Sequence, residues 1–258
     1  MPRLTSLVKA IFRTVGIEIR RSSPLLTELA PRFPVELDQE EQEIIAYILE
    51  RRLSMTSVES LATTLMACKH AVSRDIPGDF VECGVWRGGN ALLAAWAFRH
   101  FGADKKVFLF DTFAGMTAPS DKDCDPSLMQ IFLDHQRQTH NEWVYASLED
   151  VKGNFKGANL LTEGVVFVQG SVLETLVHEE NLPTRISVLR LDTDWYESTK
   201  KELEVLYPRL SIGGSLIIDD YGFFVGARNA TEDYFALNGG RPFLQPVDST
   251  VRAGVKND

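Results

Sequence analysis

The chain is short of cysteine and of positive charge, and both shortages restrict its function. Cys68, Cys83 and Cys124 stand far apart in 258 residues and form no CxxC pair. That argues against a disulfide framework or a zinc site, and for reduced thiols in a cytoplasmic protein. Lys and Arg number 27 against 36 Asp and Glu, a formal net charge of -9. A general nucleic-acid binder needs a basic face, so the balance argues against that class. A run of about 18 apolar residues is also missing, so no transmembrane helix is expected. No repeat or low-complexity segment stands out. What remains is ordinary: 44% apolar and 24% charged residues, enough for one large α/β domain around one core.

Two stretches organise that domain. Ile186-Ser-Val-Leu-Arg-Leu191 and Gly214-Ser-Leu-Ile-Ile218 read as buried strands. The first ends in Asp192 and Asp194, the second in Asp219 and Asp220. A helix-like segment, Glu197 to Leu206, and a Gly-Gly turn lie between them. Strand, crossover helix and strand make parallel neighbours with both C-terminal ends on one edge. Four carboxylates therefore converge, which is costly unless a cation or proton offsets their repulsion. All-oxygen donors favour Mg²⁺, Ca²⁺ or Mn²⁺.

Upstream, Phe80-Val-Glu-Cys83 reads as a strand, Gly84-Val-Trp-Arg-Gly-Gly89 as a glycine loop and Ala91 to Phe101 as a helix. The pattern E-x-G-x-x-x-G-G, with Glu82 before the first glycine, differs from the dinucleotide fingerprint G-x-G-x-x-G. It favours S-adenosylmethionine, which has no pyrophosphate to cradle. A second strand, Val107-Phe-Leu-Phe110, ends in Asp111, which either accepts hydrogen bonds from ribose hydroxyls or caps a turn. A third, Val165-Val-Phe-Val168, ends at Gly170-Ser171, where bare backbone admits an adenine ring. Residues 112–146 are too long and polar for a simple connection and read as a lid with some helix. His135 and His140 in it read as solvated residues rather than bases. Phe243 to Val247 and Thr250 to Val255 read as a closing antiparallel pair, after a helix from Arg228 to Leu237.

The first 54 residues read as a helical arm and preface to a catalytic domain spanning 55–258. Leu4, Leu7, Val8, Ile11, Phe12 and Val15 have helical spacing, with Arg3, Lys9 and Arg13 at other positions. Such a basic amphipathic helix packs on its own domain or a partner subunit, or lies on an anionic membrane. We adopt packing, which makes a homo-oligomer the expected assembly. Lys9 and Arg13 interrupt the apolar stretch and disfavour a secretory signal. Asp38-Gln-Glu-Glu41 has the form of a capping box, and Ser57 can cap a second helix.

Taken together, Gly78-Asp-Phe-Val-Glu-Cys-Gly-Val-Trp-Arg-Gly-Gly89, Phe110-Asp-Thr-Phe-Ala-Gly-Met116, Leu191-Asp-Thr-Asp-Trp-Tyr-Glu-Ser-Thr199 and Gly213-Gly-Ser-Leu-Ile-Ile-Asp-Asp-Tyr-Gly222 resemble the macrocin O-methyltransferase (TylF-type) family, from about Met55 to Val255. The resemblance implies a class I methyltransferase fold: a Rossmann-like three-layer sandwich, its seven-stranded sheet mostly parallel with an antiparallel C-terminal strand, here with an N-terminal helical extension. It implies S-adenosylmethionine and Mg²⁺, or another hard divalent cation, acting on sugar hydroxyls of natural products. By match, Glu82 and Gly84 border the methionine and ribose end of the cofactor. Asp111 and Thr112 lie at the ribose, Gly170 and Ser171 at the adenine, and Met55, Thr56 and Ser57 close over the cofactor. Asp192, Asp219 and Asp220 are the implied metal ligands. Asp192 is the first choice for general base and Asp194 the second. Catechol methyltransferases are similar but carry a lysine base where this chain has Trp195. A catechol-type enzyme therefore stays open as a rival. So does a glycosyltransferase using Asp192-Thr-Asp194 as a DxD triplet.

Overall fold

A computed structural model describes residues 33–123 and 125–257. The basic arm lies outside them. The described chain begins with two helices, α1 (Gln39–Glu50) and α2 (Val58–Ser73). The Asp38–Glu41 capping box forms in both directions at the start of α1. Ser57 caps α2 by accepting from Ser60 N–H. The apolar stripe of α1 buries Ile45 and Ile48, and α2 buries Leu61, Leu65 and Cys68 against the same core.

The sheet comprises β1 (Asp79–Cys83), β2 (Val107–Asp111), β3 (Val165–Gln169), β4 (Ile186–Leu191), β5 (Leu210–Ile218), β6 (Gln245–Pro246) and β7 (Arg252–Val255). Its order is β3-β2-β1-β4-β5-β7-β6. The first five strands are parallel, and β7 runs antiparallel to β5 and to β6. The intervening helices are α3 (Gly89–His100), α4 (Pro126–His135), α5 (Leu148–Gly157), α6 (Val172–Thr175), α7 (Tyr196–Leu206) and α8 (Val225–Asn238).

Period-2 alternation divides the strands between two cores. Phe80, Leu109, Val188 and Ile217 pack with α1, α2, α3 and α5. Val81, Phe108, Leu189 and Leu216 face Leu203 and Leu206 of α7 and Phe235 of α8. Strand order reverses between β1 and β4, and doubly wound sheets bind ligands at the carboxyl ends of strands at that point. The backbones approach closely there. Gly84, at φ +79°, would place an added Cβ 1.9 Å from the carbonyl oxygen of Asp192.

Gly213-Gly214, read as a turn, instead lies inside β5. The β4–β5 pairing is irregular at that point, with a register shift between Ile186 and Val188. Gly213 takes φ +81°, so the glycines serve a bulge rather than a reversal. The last three strands follow the expected edge hairpin, and the lid contains one real helix, α4, capped by Asp125 with Pro126 in its first turn.

Candidate active site

The ladders that join β4 to β1 and to β5 continue past the strands. Asp192 N–H donates to Cys83 O at 2.9 Å and Asp219 N–H to Leu191 O at 2.9 Å. This brings the acids after both strands to one rim. Asp192, Asp194 and Asp220 each offer a carboxylate oxygen, and the three lie within 4.8 Å of one another. Asp219 stands beside them but turns toward Arg190.

Arg190 was passed over as one letter of an apolar run, and it organises the site. Alternation places it on the same sheet face as Val188, beneath α2, with no exposure at all. Its strand partner on β1 is Glu82. Its Nε donates to Glu82 Oε1 at 3.1 Å, and its Nη2 to Asp192 Oδ2 at 2.9 Å and to Asp219 Oδ1. A guanidinium is planar and permanently charged, with donors enough for all three carboxylates. Burial works against that charge, but Asp219, Asp192 and Glu82 outweigh it and hold its pKa above the ordinary value. The available signal was a formal charge inside an otherwise buried strand, which demands a partner.

Asp194 and Asp220, toward the cavity, make no ion pair with Arg190. Burial pushes Asp194 up to about 7, with Asp192, Asp219 and Glu202 adding to the rise and a hydrogen bond with Asp220 opposing it. Burial and then Asp194 push Asp220 up to about 10. Burial and Asp219 raise Asp192 well above the carboxylate range. Four carboxylates on one rim cannot all ionise unaided. An all-oxygen donor set in that condition fits a hard divalent cation.

Next to the acids opens a cavity of about 820 Å³, within the size range of small-molecule sites. Met55, Thr56, Ser57, Glu82, Gly84, Asp111, Thr112, Gly170, Ser171, Asp192, Asp194, Asp219 and Asp220 all line it, so every residue singled out from sequence meets in one place. His135 and His140 are not among the lining residues. His135 lies against Ile131 O at 2.8 Å and His140 stacks on Tyr145. Oε2 of Glu82 is buried and has no partner. An orphaned acceptor of this kind in a cavity wall fits a ligand that supplies a donor. Burial raises Glu82 to about 7 despite Arg190.

Asp111 does more than border the cavity. Its Oδ2 accepts from Val85 N–H at 2.7 Å and Trp86 N–H at 3.2 Å, and its Oδ1 from Phe113 N–H at 2.7 Å. It therefore fastens the glycine loop to the end of β2, the capping alternative weighed above. Two further walls were not foreseen. Asp248 and Ser249, read as a hairpin turn, and Thr250 and Val251, read as the start of the closing strand, line the cavity, with Asp248 Oδ2 accepting from Ser57 Oγ at 2.5 Å. Trp143, Trp195, Phe224 and Phe223, all in the cavity lining, form a run of edge-on rings 4.8 to 5.7 Å apart. Nine lining side chains are Asp or Glu, and among the described residues none is Lys, Arg or His.

A parallel sheet of this order, closed by an antiparallel β7 and carrying a glycine loop at its switch point, defines the class I methyltransferase fold. The O-methyltransferase NovP shares it with a TM-score of 0.72 at 29% identity, covering 80% of this chain and 83% of that one. Residues 38–253 match the macrocin-O-methyltransferase (TylF) family, and the chain belongs to it as an O-methyltransferase. It is 38% identical over 189 residues to the 8-demethyl-8-(2,3-dimethoxy-alpha-L-rhamnosyl)-tetracenomycin-C 4'-O-methyltransferase of Streptomyces olivaceus, covering 72% of this chain and 69% of that one. It is 34% identical over 227 residues to the mycinamicin III 3''-O-methyltransferase of Micromonospora griseorubida, covering 81% and 84%.

Proposed function

We propose that the chain methylates a hydroxyl of a sugar carried by a natural product, with S-adenosylmethionine as donor and Mg²⁺ or another hard divalent cation at Asp192, Asp219 and Asp220. The observation that carries this reading is the rim where Asp192, Asp194 and Asp220 bring carboxylate oxygens within 4.8 Å of one another, with Asp219 beside them on Arg190, in a cavity lined by no Lys, Arg or His among the described residues. A bound ion would supply a lower pKa for one hydroxyl of a vicinal diol. Glu82 offers its unpartnered oxygen to the donor, and Asp111 and Thr112 stand at the ribose. Gly170-Ser171 borders the adenine, while Met55 to Ser57 close the cavity from above. Asp192, first choice for the base, has one oxygen engaged by Arg190. Asp194 makes no ion pair with Arg190 and lines the cavity beside the proposed metal ligands, so it takes the proton. S-adenosylmethionine, when bound, would supply the methyl group to the oxygen that Asp194 deprotonates and would depart as a neutral thioether.

The same lining weighs against the rivals. A glycosyltransferase must hold a nucleotide diphosphate, whose anions call for cationic side chains in addition to a metal. A catechol would need no sugar-sized polar site, and the Streptomyces olivaceus relative named above carries a rhamnosyl group in its name. The test is methyl transfer from labelled S-adenosylmethionine to three acceptors: a neutral aryl rhamnoside, a catechol and a nucleoside-diphosphate rhamnose. Turnover of the rhamnoside that chelator abolishes and Mg²⁺ restores is the expected result. Chelator-insensitive turnover, or a preference for the catechol or the nucleotide sugar, would overturn the reading.

A further inference from the structure

Helix α7 starts immediately after the Asp192-Thr-Asp194 loop, and its own N-cap residue, Trp195, supplies no side-chain cap. The cap comes from 73 positions upstream. Asp123, in the short 3-10 turn of the lid, is 4% exposed. Its Oδ1 accepts from Tyr196 N–H at 2.8 Å, and its Oδ2 accepts from Ser120 N–H at 2.7 Å and Ser120 Oγ at 2.9 Å. Space for this carboxylate exists because α8 carries a glycine opposite it. A Cβ on Gly226 would lie 1.9 Å from Asp123 Oδ1 and 2.8 Å from Tyr196 N. A second tie joins the same parts, since Trp195 Nε1 donates to Thr117 O at 2.9 Å. The lid is thus fastened to the first turn of the helix whose entry residue, Asp194, sits at φ +71°. A non-glycine residue in that left-handed region persists only where its surroundings impose it.

We infer that Asp123 is a positioning residue, a lid carboxylate that caps α7 across the chain and so makes lid docking and the setting of the acid loop a single event. A lid lifted by an entering acceptor withdraws the cap, and the acid loop loosens. A lid that settles restores both. Asp194 then stands ready as a base only beneath a closed lid, which keeps water from an activated hydroxyl. The inference borrows the role of Asp194 from the function proposed above, but the geometry stands without it.

The test is hydrogen exchange on the full chain carrying Asp123→Asn, Asp123→Ala, Gly226→Ala or the last two together. Loss of a cap should raise exchange on the order of tenfold in Asp123→Ala and in Gly226→Ala, both in residues 117–123 and in residues 192–198. The strand amides of β1 should stay as in the parent. Asn keeps one acceptor oxygen for Tyr196 N–H, but its amide nitrogen cannot accept from Ser120 N–H, so it should restore protection in part. The double variant should be no worse than either single one, because both remove the same contact. Faster exchange confined to the lid, with residues 192–198 still protected, overturns the inference, and so does additive loss in the double variant. Mn²⁺ and S-adenosylhomocysteine affinities, measured by calorimetry on the same proteins, separate the two claims. If the parent binds no Mn²⁺, the metal reading fails while the exchange data still decide this one.

Discussion

Arg190 is a full charge with no access to water, and its environment shows why it is tolerated. Three carboxylates, one on β1 and two just past the ends of β4 and β5, share its guanidinium. Removing one partner of a buried ion network costs more than the pair contributes, because the remaining charges are stranded. Arg190→Met should therefore lower unfolding stability by about 3–5 kcal/mol in urea titrations. Lysine should rescue little, since a single ammonium cannot span Glu82, Asp192 and Asp219 together. Asp194→Asn tests the chemistry instead. Turnover should fall on the order of 10²–10⁴-fold, the usual worth of a general base, with S-adenosylhomocysteine affinity unchanged. Asp192, Asp194, Asp219 and Asp220 were legible in the sequence because parallel strand ends must converge. Arg190 was legible only as a mismatch with its strand. The orphaned oxygen of Glu82 was not legible at all, since it depends on which neighbours reach a side chain after packing.

At the level of elements, the strands and caps were readable wherever local chemistry decides them. Ile186–Leu191 appears as read, and the Asp38 and Ser57 caps form as their side chains dictate. The Gly213-Gly214 bulge and the Asp123 cap were not readable, because both answer to a partner distant in sequence. The β1–α3 loop is the element under greatest constraint. Gly84→Ala adds a methyl group against the Asp192 carbonyl at a φ of +79°, which β4 can relieve only by moving. Strain of this kind costs about 1–3 kcal/mol or more. The variant should melt at lower temperature and should also lose Mg²⁺ affinity, since the displaced atom belongs to a proposed ligand. A normal metal affinity in a folded Gly84→Ala protein would separate the glycine loop from the acid rim.

Across the whole molecule, the acid rim shapes the response to pH. Glu82 and Asp194 move from ordinary values of 4.5 and 3.8 up to about 7. Their protonated forms are thus favoured by folding. Between about pH 4 and pH 7 the folded chain binds more protons than the unfolded chain, so stability falls as pH rises through that window. The metal-free protein should melt at higher temperature at pH 5.5 than at pH 8. Mg²⁺ should raise the melting temperature more at pH 8, where the carboxylates are bare, than at pH 5.5. A chelated sample that is more stable at pH 8 would contradict the charge arrangement described here.

The composition of the cavity wall also bears on how one cycle hands over to the next. The donor arrives with a positive sulfur and departs without it. On the proposed reading, a chamber walled by acids and, among the described residues, by no Lys, Arg or His attracts the first species and is indifferent to the second, so fresh cofactor displaces its own spent form. That preference should be strongest in dilute buffer and should fade as added salt screens the wall.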